Sequence, residues 1–235
     1  MRIVGLLALI CFVGVGAYGQ KCVVSKDAKG RVVTICQMYF AQIEPRTTGL
    51  ERPSYKEMVY LGSEYFGFPV WQDGTVQLAG RQIRGALAYN IITDELLYQL
   101  GNSTAVEKAI PEAFTIGGHR FIRDASKGIG RDSRYYMVLN NGPTRLLKSF
   151  KCQLRGREEN NGYTKMDEFD GRYETQEQYY IKKGSAVPEP VTLTRKSLQA
   201  VLGDRADAIT DKLPRRRITE ENVIEVLKHY DGQMQ

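Results

Sequence analysis

Histidine is nearly missing from this chain of 235 residues: it has two, His119 and His229. A zinc site of the usual kind takes three or four His, Cys or carboxylate ligands. Neither histidine has a second at ligand spacing, so both are expected to be structural or on the surface. Tryptophan occurs once, as Trp71. No Gly-x-Ser-x-Gly turn is present to raise a serine nucleophile. The acids Asp167, Glu168, Asp170 and Glu174 cluster, but a calcium loop needs acids at alternate positions with Gly sixth. Asp167-Glu168-Phe169-Asp170-Gly171 lacks that order and reads as a solvated charged loop. Runs of one charge are short; the longest run of basic residues is Arg215-Arg216-Arg217. These absences leave no cofactor motif and no metal motif, and no cofactor is expected.

What is present begins at the N-terminus. Arg2 gives a short positive region, Val4 to Val15 is almost unbroken apolar sequence, and Gly16-Ala17-Tyr18-Gly19 follows. That order is expected of a secretory signal peptide over residues 1–19, cut before Gln20. No second apolar stretch long enough to span a bilayer follows, so no transmembrane segment is expected in the mature chain. The net charge of +6 permits anionic partners without requiring one.

Cys11 would leave with the signal, and Cys22, Cys36 and Cys152 remain. An exported chain can form disulfides. Cys22–Asp27 and Arg31–Phe40 read as two strands about the turn Asp27-Ala28-Lys29-Gly30. Cys22 and Cys36 are each seven residues from Lys29, so a hairpin in that register sets them face to face. The alternatives are a bond from either to Cys152, or three free thiols.

Residues 41–57 show no clear period and read as a loop with a short helix near Ser54–Met58. From Val59 to Leu154 strand signals succeed one another. The Asp73-Gly74 pair carries a hairpin signal. Ile83, Gly85, Leu87, Tyr89 and Ile91 alternate with Gln82, Arg84, Ala86, Ala88 and Asn90, the clearest period of two in the chain. Thr93-Asp94 reads as a turn, Pro111 as a break, and Tyr135–Asn140 as a strand apolar on both faces. Asn141-Gly142 reads as another hairpin turn. Leu146, Phe150, Cys152 and Leu154 then share a face, which makes Cys152 a buried thiol. Arg172–Lys183 closes the strands, and Pro188-Glu189-Pro190 reads as a stiff connection to the C-terminal part.

Beyond, Thr194, Asp204 and Thr219 can each cap a short amphipathic helix. Leu198, Val201, Leu202, Ile209, Leu213, Val223, Val226, Leu227 and Tyr230 form their apolar stripes, and Ile218 with Val223 fits a hydrophobic staple. Short helices do not hold in water alone, so these must lie on the sheet. The expected fold is mainly β: an antiparallel meander, as barrel or sandwich, over 20–190, with C-terminal helices of 191–235 docked on it.

The stretch Tyr60–Tyr98, with Trp71, Asp73-Gly74, Gly80-Arg81 and Ala88-Tyr89-Asn90-Ile91, resembles a pattern in exported β-rich proteins of Bacteroidota. So do Phe114–Phe121, Tyr136–Leu139, Leu146-Leu147-Lys148, Tyr179-Tyr180-Ile181 and the closing His229-Tyr230. The resemblance implies compartment and architecture and brings no functional residues with it.

Two sets of basic residues are candidate anion contacts. Lys127, Arg131 and Arg134 flank Gly128-Ile129-Gly130, and Arg215, Arg216 and Arg217 lie between helices. The expected function is a non-enzymatic structural or binding protein of the periplasm, outer membrane or cell surface. Its expected partner is an envelope protein or an anionic glycan, and not a nucleic acid. The rival is an envelope glycan hydrolase or transferase, which would need two carboxylates across a cleft.

Overall fold

Strands, several of them rich in the β-branched and aromatic residues that suit a pleated, half-buried surface, make up most of the regular structure of the described residues. The structure is a computed structural model. It describes residues 21–40, 54–78, 80–99, 101, 105–123, 135–157, 168–203, 213–214 and 216–232. The first strands are β1 (Lys21–Lys26), β2 (Val32–Phe40), β3 (Ser54–Leu61), β4 (Gln72–Leu78), β5 (Arg81–Asn90), β6 (Glu95–Gln99) and β7 (Glu107–Ala109). They are followed by β8 (Ala113–Ile116), β9 (His119–Arg123), β10 (Tyr135–Val138), β11 (Thr144–Gly156), β12 (Gly171–Lys183) and β13 (Glu189–Val191). Among the described residues there are also two helices, α1 (Arg195–Leu202) and α2 (Glu220–Gly232).

The described strands join one sheet in the order β1-β2-β3-β12-β11-β10-β9-β8-β4-β5-β6-β7, with β13 on β12. The mainly β fold is as expected, but the sheet is mixed, with terminal strands β1 and β7, and its sequential antiparallel runs are joined at β3–β12 and β8–β4. The one parallel contact among the described residues is β3 on β12, where Tyr60 faces Gly171 and Leu61 faces Arg172. At the other end of the same edge, Tyr179–Ile181 pair with β13.

After β3 the chain leaves the sheet and crosses it as a strap. Gly62 takes φ +86°, and its N–H donates to the Val32 carbonyl at 2.8 Å. The Phe66 N–H donates to the Tyr89 carbonyl, and the Ile91 N–H to the Glu64 carbonyl, both at 2.8 Å. The strap thus ties the β3 side of the sheet to β5. Beneath it lies an aromatic cluster of Phe66, Tyr89, Phe114, Phe121, Tyr135 and Phe150. Phe66 meets Phe121 at 5.0 Å and Phe150 at 5.3 Å, and the cross-strand pair Phe114–Phe121 stacks at 4.9 Å. The tyrosines buried in this cluster have hydroxyl partners: Tyr89 donates to Asp94 Oδ1 at 2.5 Å and Tyr135 to the Pro111 carbonyl at 2.8 Å.

The second apolar cluster lies under the helices. Leu198, Leu202, Leu213, Ile218, Val223, Val226, Leu227 and Tyr230 bury themselves against Leu146, Ile181 and Val191 of the sheet. Val201 is partly buried there. Thr194 caps α1 by accepting from the Ser197 N–H. Thr219 and Asn222 bond reciprocally at the start of α2, and Ile218 and Val223 are buried in the same cluster, as the staple requires. The helix expected after Asp204, with Ile209, lies outside the described residues.

Three local readings are corrected. Ser54–Met58 is strand, not helix: its Met58 faces Cys36, and the next residue, Val59, faces Ile35, across β2. Asp73-Gly74 is not a turn but part of the first half of β4. A Cβ on Gly74 would strike the Thr115 carbonyl and the Leu87 side chain, so the glycine is there for close packing. The actual turn of that hairpin lies between the paired Leu78 and Arg81, with Gly80 at φ +74°. Pro188–Pro190 is no mere connection: it runs into β13, which is paired with β12 alone and sets Pro190 opposite Tyr180, and proline is tolerated in such an edge strand.

Candidate functional site

Alternation decides which side chains are free to meet a ligand. In β4, β5, β8 and β9, Val76, Leu87, Phe114 and Phe121 point into the aromatic cluster. Their neighbours in sequence must therefore face the other way. Register aligns those neighbours into rows. Arg84 pairs with Thr75, Thr75 with Thr115, and Thr115 with Arg120. Beside that row, Gln82 pairs with Gln77 and Gln77 with Ala113. The face is polar: two guanidinium groups at the ends of a row, hydroxyls between them, amides alongside.

Two shallow clefts open on it. One, of about 400 Å³, is lined by Thr75, Gln77, Gln82, Thr115 and Arg120 among others. The second, of about 620 Å³, is lined by Asp73, Thr75, Arg84 and Ala86 among others. Thr75 belongs to both. Arg84 and Arg120 are exposed, and among the described residues neither is held in an ion pair. Such a surface offers hydrogen bonds to a hydroxylated ligand and two points of attraction for an anion.

A second constellation lies between the two apolar clusters. Lys148 is buried on β11, its Nζ 2.5 Å from Glu220 Oε1 and 3.2 Å from Glu177 Oε2. The Tyr179 hydroxyl donates to Glu220 Oε1 at 2.7 Å and lies 3.1 Å from Glu177 Oε2. Burial opposes the charge on Lys148, but its bonds to Glu220 and Glu177 outweigh that and raise its pKa. Burial pushes the Tyr179 hydroxyl up, and the same two glutamates push it further. The arrangement can fix the start of α2 to the sheet. It also brings two carboxylates to one ammonium, beside a cleft of about 440 Å³ that Glu177 and Tyr179 help line.

Of the residues singled out from sequence, Cys22 and Cys36 face one another in the expected register and are bonded, with Cα atoms 4.1 Å apart. Cys152 is free and buried in the aromatic cluster, and burial raises its thiol pKa. Lys127, Arg131, Arg134 and Arg215 lie outside the described residues. Arg216 and Arg217 are exposed just before α2. His119 and His229 are both exposed, and His119 meets Phe66 edge-on at 5.6 Å. Among the described residues no group of three or more His, Cys, Asp or Glu is placed to hold a metal ion.

The acidic cluster proves structural in its described members. Glu168 pairs with Lys29 at 3.1 Å and Arg31 at 2.8 Å, Asp170 accepts the Val59 N–H, and Glu174 pairs with Arg155. Asp167 lies outside the described residues. The Arg84–Arg120 row has no signature in the sequence. The period of two in β5 places Arg84 on the solvent side, but nothing local says that β4 lies between β5 and β8. Compared with family models, curated proteins and solved structures, the chain matches none.

Proposed function

We propose that this protein is an exported, non-enzymatic binding module of the cell envelope, holding its ligand on the polar face of β5, β4, β8 and β9. Export is supported by the expected signal peptide and by the Cys22–Cys36 disulfide, a bond that persists in oxidising compartments. The resemblance to exported β-rich proteins of Bacteroidota agrees. No helix among the described residues is long and apolar enough to cross a membrane. The observation that carries the reading is the polar side chains that line the two clefts among glycine, alanine and Phe114: threonine, glutamine and arginine, with Asp73 the one carboxylate.

Amide chemical-shift mapping during titration with solubilised envelope polysaccharide tests it. Shifts are expected at Thr75, Gln77, Gln82 and Thr115. Shifts confined to another surface would sink the proposal. The glycan-cleaving alternative draws its support from Glu177 and Glu220 meeting at Lys148. Reducing ends released by the wild type and not by Glu177→Gln would establish that alternative in place of simple binding.

A further inference from the structure

We infer that the ligand of this face is a linear glycan carrying anionic groups, gripped at two separate points by Arg84 and Arg120. The inference rests on the binding reading above and adds the ligand's class.

The first argument is spacing. Arg84 and Arg120 stand on the first and last of four adjacent strands, with Thr75 and Thr115 between them. Neighbouring strands lie about 4.8 Å apart, so the two Cα positions are separated by roughly 14 Å across the sheet. Each arginine lines a different cleft, and the clefts meet at Thr75. A single small anion in one cleft therefore meets one arginine. A ligand that meets both must extend across the strands.

The second argument is chemistry. Guanidinium groups select carboxylate, sulfate or phosphate through paired N–H donors. The side chains between them are hydroxyls and amides, which donate and accept and so suit a ligand rich in hydroxyl groups. A nucleic acid strand would ask for aromatic side chains on which bases stack. The aromatic residue that lines these clefts, Phe114, belongs to the cluster on the opposite side of the sheet. Asp73, exposed at the rim of the second cleft, leaves a single negative charge against two positive ones among the lining residues.

The test uses the full mature chain, four polymers and one monomer: polygalacturonate, dextran sulfate, neutral dextran, single-stranded polydeoxythymidylate and galacturonate. Polygalacturonate and dextran sulfate should bind, the first or the second more tightly according to whether the natural anion is a carboxylate or a sulfate-like group. Binding should weaken with salt, as contacts between exposed charges do. Arg84→Gln and Arg120→Gln should each weaken it about 10-fold, the usual loss for one charge-assisted contact. The double variant should lose more than either, with an unchanged melting temperature. Galacturonate monomer should bind far more weakly than the polymer.

Dextran binding as tight as polygalacturonate, with shifts still on this face, overturns the anionic class and leaves the binding reading standing. Monomer as tight as polymer overturns the two-point grip. Polydeoxythymidylate that binds more tightly than either anionic glycan overturns the glycan. If no polymer shifts the amides of this face, both this inference and the reading beneath it fail.

Discussion

Lys148 is a charge placed where the strand pattern asks for a hydrophobe. It stands on β11 between Leu146, which faces the helices, and Phe150, which faces the aromatic cluster. Its methylenes fill the junction and its ammonium is met by Glu177, Glu220 and the Tyr179 ring, 5.4 Å away. Lys148→Met keeps the stem and removes the charge. It leaves two carboxylates and a phenol facing one another without a cation. Because Glu177 is nearly half exposed, water softens the cost. A loss of about 1–3 kcal/mol at neutral pH is expected, read from urea denaturation. Lysine's pKa is raised in the folded state, so its own contribution is present below the ordinary value of about 10.4 and fades as pH climbs past it. A Met variant as stable as the wild type across this range would show the cluster to be energetically idle.

Among the elements, α2 gives the sharpest expectation. Leu227 is fully buried in the helical cluster, with Val223, Val226 and Tyr230 on the same stripe. Leu227→Ala should cost about 2–4 kcal/mol and lower the melting temperature of the sheet signal itself, because the helix covers Leu146 and Ile181. An unchanged sheet transition would mean that the helix folds apart from the sheet. This stripe is legible in sequence because its period, cap, staple and stop all agree within a few residues. The β1–β2 hairpin is legible for a similar reason: the turn at Lys29 fixes every pair in it, including Cys22 with Cys36. Gly74 misleads because its reason is not local. It makes room for the Thr115 carbonyl and the Leu87 side chain, which only the folded sheet brings there. Ser54–Met58 misleads for want of a pattern that separates a few mixed residues of helix from the same residues in a strand. The candidate binding face depends on the order of β5, β4, β8 and β9, and strand order between distant segments leaves no mark on either segment alone.

On the scale of the molecule, the two apolar clusters are not two domains. One face of β11 supplies Leu146 to the helical cluster and Cys152 to the aromatic one, with Lys148 between. Leu139 touches both. β11 and β12 are paired along 13 residues each, from Thr144 with Lys183 to Gly156 with Gly171. A ladder that long gives neither cluster a strand it can keep if the other melts. Thermal unfolding followed by Trp71 fluorescence, which reports near the strap, and by far-ultraviolet dichroism should therefore coincide in one transition. Two separated transitions would refute this shared spine.

The parallel seam between β3 and β12 has a consequence for the order in which the chain assembles. Val59 and Asp170 are bonded across 111 residues of sequence. A chain delivered N-terminus first can close the β1–β2 hairpin and oxidise Cys22 with Cys36 early, since both steps are local. Its third strand then waits with an open edge until β12 arrives. Lys21 and Lys26 at the ends of β1, and the covalent staple across the hairpin, keep that waiting ribbon charged and in register while most of the protein is still to come.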